Sequence, residues 1–348
     1  MNDQVELPIN VEPGAVPAIR VRHLWHRFGR FDVLRDVSFD VAQGQIFGFI
    51  GPNGAGKTTT IRILSTLLEP MAGLVEVLGY DVTIDTDAVR RQVGYMPDHA
   101  GVYERVTVRE YLEFFADAYR VPTAGTTYAV VDAAMELTDL TRLCDKLVAT
   151  MSKGMKQRLQ LARVLLHDPK ILILDEPASD LDPRARIEIR DLLQELRSMG
   201  KTIFLSSHIL TELADVVDAV AILERGQVIV AGPISEIAQR LSDRQSVTSP
   251  IDPLTNTNVP APEPTRTVKL RVLAAQNVVT QVLIALPFVR SVTPGAMGTL
   301  IVTFVGDDHA IAAMVQSLAQ GGLSVVGVEP ERNELERIFL EATRGELQ

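Results

Sequence analysis

The sequence of 348 residues predicts an α/β protein. Its core is a mixed, mostly parallel sheet with an antiparallel β subdomain and a helical insertion, followed by a small α+β domain. Three observations carry this. The runs QIFGFI (45–50), KILILDE (170–176) and KTIFLSSH (201–208) are continuously apolar, as strands buried on both faces are. Helical patterns such as RARIEIRDLLQELRSMG stand beside them, and a β-α-β-β-α-β order follows residue 266.

Taken in order, residues 1–17 form a proline-containing extension. AIRVRHLWHRFG and VLRDVSFDV then alternate apolar and polar positions like antiparallel strands joined through FGRFD. QIFGFI enters a glycine-rich loop and a helix, TIRILSTLL. Between about 100 and 168, VREYLEFFADAYRV and YAVVDAAMELTDL repeat apolar residues at three- and four-residue spacing, which predicts the helical insertion. The final glycine of RARIEIRDLLQELRSMG suits a helix C-terminus. AVAILERGQVIVAGP reads as a hairpin turning near Gly226, closing a domain that spans 18–242.

Residues 243–266 hold five prolines among polar residues and form a linker. Residues 267–348 then read as a ferredoxin-like accessory or regulatory domain that ends in the helix NELERIFLEATR.

Composition bounds the function. Apolar residues make up 46% and charged residues 22%, as in ordinary globular chains, and a net charge of −10 argues against wrapping a nucleic acid. The single cysteine, Cys144, has no internal disulfide partner and reads as a small buried hydrophobe, which fits a reducing compartment. The N-terminal residues lack the pattern of a signal peptide, and the longest uncharged apolar run, VVTQVLIALPFV, is too short to span a bilayer.

The chemistry centres on GPNGAGKTT (51–59), a full G-x-x-x-x-G-K-[ST] match between a buried strand and a helix, hence a P-loop NTPase core. Gly51, Pro52, Asn53, Gly54, Ala55 and Gly56 shape a backbone cradle for phosphates at a helix N-terminus. Lys57 is expected on the β and γ phosphates, Thr58 on Mg²⁺, and Thr59 completes the binding stretch. Asp175 and Glu176 emerge at the C-terminal end of the ILIL strand, where such sheets bind ligands. Asp175 is expected to meet Mg²⁺ through water, and Glu176 to act as general base on the attacking water. His208, at the end of a neighbouring strand, projects from the same edge as a third catalytic candidate. MSKGMKQR (151–158) reads as a helix start capped by Ser152, with Met155, Leu159, Ala162 and Leu166 on one face; Ser152 and the Gly154 amide form an anion site.

The order GPNGAGKTT, MSKGMKQR, ILILDEPASDLDP, SSH resembles the nucleotide-binding subunit of ABC transporters over about residues 18–240. MSKGMKQR looks like the S-K-G-M-x-Q variant of the signature motif, found among exporters, and stands where most members have LSGGQ. The resemblance implies ATP and Mg²⁺ as ligands, with Ser152 and Gly154 capping the γ-phosphate held by a second cassette, which makes a homodimer. It also implies export through a separate transmembrane permease at the cytoplasmic face of the membrane. Phe28 matches the aromatic that stacks on adenine, and Ser179 to Asp182 match the D-loop, written SDLD where the family often has SGLD. Asp98 stands where most members have a glutamine that touches Mg²⁺, so it is carried as a metal candidate and as the clearest departure. VYERVTVREYL resembles the segment that contacts the membrane partner. A soluble regulatory ATPase, or an ATP-dependent switch without transport, is the alternative.

Overall fold

The computed structural model describes residues 16–99, 101–120, 127–208, 216–234, 236–237, 265–295, 299–306 and 308–330. They fall into two compact units that divide after Ile234.

In the first unit, β1 (Ile19–Phe28) and β2 (Phe31–Val41) pair antiparallel, as their alternation predicts. β3 (Ile46–Ile50) is buried at every residue and leads through the glycine loop into α1 (Lys57–Leu64). Residues 70–97, to which patterning assigned no element, form β4 (Ala72–Val77), β5 (Tyr80–Asp81), α2 (Thr86–Gln92) and β6 (Val93–Met96). Segments of two to seven residues are too short to show a period.

The helical insertion is present as α3 (Val108–Ala118), α4 (Thr127–Leu137) and α5 (Lys153–Leu165). α3 starts at a capping box in which Thr107 and Glu110 satisfy each other's backbone amides. These helices bury a core of their own that includes Tyr111, Leu112, Val131, Met135, Leu159, Ala162 and Leu166, with half-buried Met155 and Cys144 packed on it. β7 (Ile171–Leu174), α6 (Pro183–Ser198), β8 (Thr202–Ser207), β9 (Ala219–Glu224) and β10 (Gln227–Pro233) complete the unit.

The strands make a six-stranded sheet ordered β10-β9-β3-β8-β7-β6, parallel except for β10, and a second sheet ordered β2-β1-β4-β5. Phe39 of β2 packs on Phe47, Phe49 and Phe204 at 5.3–5.9 Å between ring centroids, which welds the two sheets together. Parallel pairing of β3 with β8 and of β8 with β7 sets the loop after β3 beside the C-terminal ends of β7 and β8.

The second unit contains β11 (Thr265–Leu273), α7 (Gln276–Ile284), β12 (Val289–Pro294), β13 (Leu300–Val305), α8 (Asp308–Gln320) and β14 (Ser324–Pro330). Its antiparallel sheet is ordered β12-β13-β11-β14, the ferredoxin-like arrangement, over a core that includes Leu270, Leu283, Phe304 and Leu318. Thr265 and Arg266, placed in the expected linker, open β11; residues 243–264, the lead through residue 15 and the expected closing helix lie outside the described residues.

Candidate active site

The loop after β3 is shaped by close backbone approach. A Cβ at Gly51 would collide with the carbonyl oxygen of Leu223, and Gly56, at φ 112°, would drive one into Leu34 at 2.6 Å. Gly226 N–H donates to the Ala55 carbonyl at 3.0 Å and Arg35 N–H to that of Gly226 at 2.8 Å, so β2 and the β9–β10 turn clamp the loop. The loop therefore places Pro52 to Thr59 at the N-terminus of α1. Lys57 is buried, and its Nζ donates to the carbonyls of Gly51 at 2.7 Å and Pro52 at 3.4 Å.

Glu176 links this lysine to His208, with Asp175 beside it in sequence. Nζ of Lys57 lies 3.4 Å from Oε1 of Glu176, and Oε2 of Glu176 lies 2.7 Å from Nδ1 of His208. Glu176 holds a positive φ of 52°, an unusual backbone state for a non-glycine residue. The parallel pairing of β3 with β8 and of β8 with β7 brings the three carriers to one sheet edge.

Ser206, which the sequence reading did not single out, organises the acidic pair. Its hydroxyl donates to Oδ1 of Asp175 at 2.6 Å and accepts from the backbone N–H of Glu176 at 3.0 Å. The signal in the sequence was a polar residue inside an apolar strand: Ser206 is fully buried and so must be hydrogen-bonded.

Asp175 is 2% exposed, and burial pushes its carboxyl above the usual carboxylate range. Hydrogen bonds from Ser206 and Thr58 pull it down, while the charges of Asp98 and Glu176 raise it further. Thr58 and Asp175 thus bring together a hydroxyl and a buried carboxylate. These are the hard oxygens that Mg²⁺ takes, and a cation would relieve the cost of ionising the carboxyl, so the donor set fits the ion. Among the described residues no cluster of three or more His, Cys, Asp or Glu could hold a metal by itself, which leaves phosphate oxygens and water to complete such a shell.

Of the remaining candidates, Asp98 acts by its charge on Asp175, while Phe28 stands on β1 and Ser152 and Gly154 at the start of α5. Oδ2 of Asp98 is paired with Nδ1 of His99 at 2.9 Å. Phe28 is half exposed at the end of β1, with the buried His26 ring edge-on at 4.7 Å. Ser152 caps α5 by accepting from the N–H of Met155 at 3.3 Å, as predicted, and a Cβ at Gly154 would meet that of Ala185 at 2.9 Å. The nearby cations are paired with carboxylates of other elements. Lys153 meets Asp180 at 2.9 Å and Lys156 meets Glu104 at 3.8 Å, while the mostly buried Arg158 bridges Asp139 and Glu188.

The comparisons agree with this geometry. The family described as ABC transporter matches residues 34–179, and a second, described as AAA domain, putative AbiEii toxin, Type IV TA system, matches 147–215. The daunorubicin resistance ATP-binding protein DrrA3 of Streptomyces coeruleorubidus is 38% identical over 231 residues, 66% of this chain and 73% of that protein. The Nod factor export ATP-binding protein I of Rhizobium meliloti (strain 1021) is 39% identical, over 66% of this chain and 69% of that one. The solved structure of an ATP binding subunit of an ABC transporter superposes with a TM-score of 0.58 at 32% identity, covering 64% of this chain and 93% of the other. A phosphate loop facing the buried Asp175 and the partly exposed Glu176, on this sheet and with these relatives, gives the identity: the chain belongs to the ATP-binding subunits of ABC transporters and is an ATPase of that family.

Proposed function

We propose that this ATPase powers export. It works as a pair of identical cassettes attached, at the cytoplasmic face of the membrane, to a separate transmembrane permease. A relative named for Nod factor export supports that direction, and one named for bacitracin transport supports a role in transport. Among the described residues no helix is long and apolar enough to cross a membrane, which suits a subunit whose membrane path is another chain. Each nucleotide motif occurs once, so the anion site at the start of α5, built by Ser152 and Gly154, serves the γ-phosphate bound by a second copy.

The observation that carries the mechanism is the continuous chain from Lys57 through Glu176 to His208, at 3.4 and 2.7 Å. In turnover Lys57 exchanges its carbonyl partners for the β and γ phosphates, and the backbone N–H groups of Gly54, Gly56, Lys57, Thr58 and Thr59 hold the same oxygens. Phe28 offers a ring for the adenine to stack on. Glu176 accepts the proton of the attacking water as the water oxygen bonds to the γ-phosphorus and the β–γ bridging bond breaks, giving ADP and phosphate. With Glu176 ionised, Nδ1–H of His208 donates to Oε2 and keeps the carboxylate aimed. Thr58 and Asp175, with Asp98 nearby, would hold Mg²⁺, which when bound neutralises charge on the transferred phosphoryl group.

Glu176→Gln tests the reading. It should keep ATP binding, lower kcat by about 10²–10⁴-fold and accumulate an ATP-bound dimer visible by light scattering. A variant that binds ATP with Mg²⁺ yet stays monomeric, or that turns over normally, would remove the mechanism.

A further inference from the structure

Two positions at which this sequence departs from the patterns it resembles meet in space. Lys153 stands at the first glycine of LSGGQ, Asp180 at the glycine of SGLD, and Nζ of Lys153 donates to Oδ2 of Asp180 at 2.9 Å. Lys153 opens α5, whose first turn carries no acidic residue, so a cation sits at the end of the helix that favours anions. Asp180 supplies the missing negative charge from another element. The hydrogen bond and charge of Lys153 hold its carboxyl below the ordinary range, with smaller help from His208 and His99.

Asp180 also belongs to the turn that begins at the catalytic carboxylate. Glu176 and Asp180 both hold positive φ, at 52° and 53°, and Ser179 N–H closes the turn onto the Glu176 carbonyl at 3.1 Å. At its near end the turn is tied to the same helix, because Nε2 of Gln157 donates to the Pro177 carbonyl at 2.9 Å. Residues 153 and 157 are four apart and share a face of α5, so one helix face grips both ends of the turn.

We propose that the Lys153–Asp180 pair is a latch that positions Glu176 for turnover by fixing the far end of this turn to the N-terminus of α5. The inference rests on the reading of Glu176 as general base. Both side chains are at least half exposed or nearly so, at 48% and 77%, so the latch acts through geometry rather than stability.

The test is steady-state ATP hydrolysis by the full chain carrying Lys153→Gln, Asp180→Asn, both changes, or Glu176→Gln. Asparagine tolerates the positive φ of position 180, so the backbone is preserved. Each single change should lower kcat about threefold with KM for ATP and Tm unaltered, and the double change should also lower it about threefold, because both break one contact. Singles at the wild-type kcat, or a double that falls about ninefold as independent sites would, overturn the latch. A Glu176→Gln protein with normal turnover overturns the base reading and the latch with it. An inactive Glu176→Gln protein beside unaffected singles overturns the latch alone.

Discussion

One carboxylate, that of Glu176, is held from both sides: His208 Nδ1 lies 2.7 Å from its Oε2, and Lys57 Nζ lies 3.4 Å from its Oε1. Once Lys57 turns to phosphate, His208 is the partner left on the carboxylate itself. His208→Ala should therefore lower kcat by about 10²-fold, the cost of misaiming a catalytic group, while KM for ATP changes less than about twofold. Steady-state kinetics decide it, and a large rise in KM with an unchanged kcat would assign His208 to binding.

Asp175 predicts a trade of stability against activity. Burial raises its pKa in the fold, so the native state binds its proton more tightly than the unfolded chain does. The sign follows: with more protons bound in the native state, stability falls as pH rises from the ordinary carboxylate value through the raised one. Without nucleotide or metal, Asp175→Asn should raise Tm at neutral pH, by roughly 2–4 °C for each kcal/mol of charge burial removed, and flatten this pH dependence. The same variant should lose Mg²⁺-dependent ATPase activity. A lower Tm at pH 7 would mean that the hydrogen bonds from Ser206 and Thr58 outweigh the desolvation.

Phe28 presents its ring at the end of β1, half exposed above His26. Removing the stacking ring in Phe28→Ala should raise KM for ATP about tenfold at constant kcat, in line with base–aromatic stacking energies. Phe28→Tyr should stay within about twofold of the parent, since the ring is kept. Equal KM values for all three proteins would make Phe28 a surface residue of the sheet.

Asp98 pairs with His99, and its charge also acts on Asp175. If it shares in holding the metal, Asp98→Ala should raise the Mg²⁺ concentration for half-maximal ATPase activity, while Asp98→Gln should preserve turnover and alter stimulation by the membrane partner. Superimposable Mg²⁺ titrations of the three proteins, with and without the partner, would leave Asp98 as a loop carboxylate engaged by His99.

Much of this protein was written in its local patterns. The phosphate loop, the buried strands before it and before Asp175, the Ser152 cap and the helical face through Leu159 and Ala162 are each set within one element, by periodicity, capping or steric need. The β-α-β-β-α-β order likewise foretold the sheet of the second unit, because connection rules leave few ways to fold it. Folding alone decided the rest. Ser206 acquires its role because parallel pairing of β7 with β8 sets it against Asp175, and Glu176, at positive φ, opens a turn tied to α5 at Pro177 and Asp180. Lys153, Lys156 and Arg158 find carboxylates 19 to 52 residues away in the chain. Local sequence sets which groups are present; partners distant in the chain decide their charge, aim and company, because electrostatics and hydrogen bonding depend on separation in space.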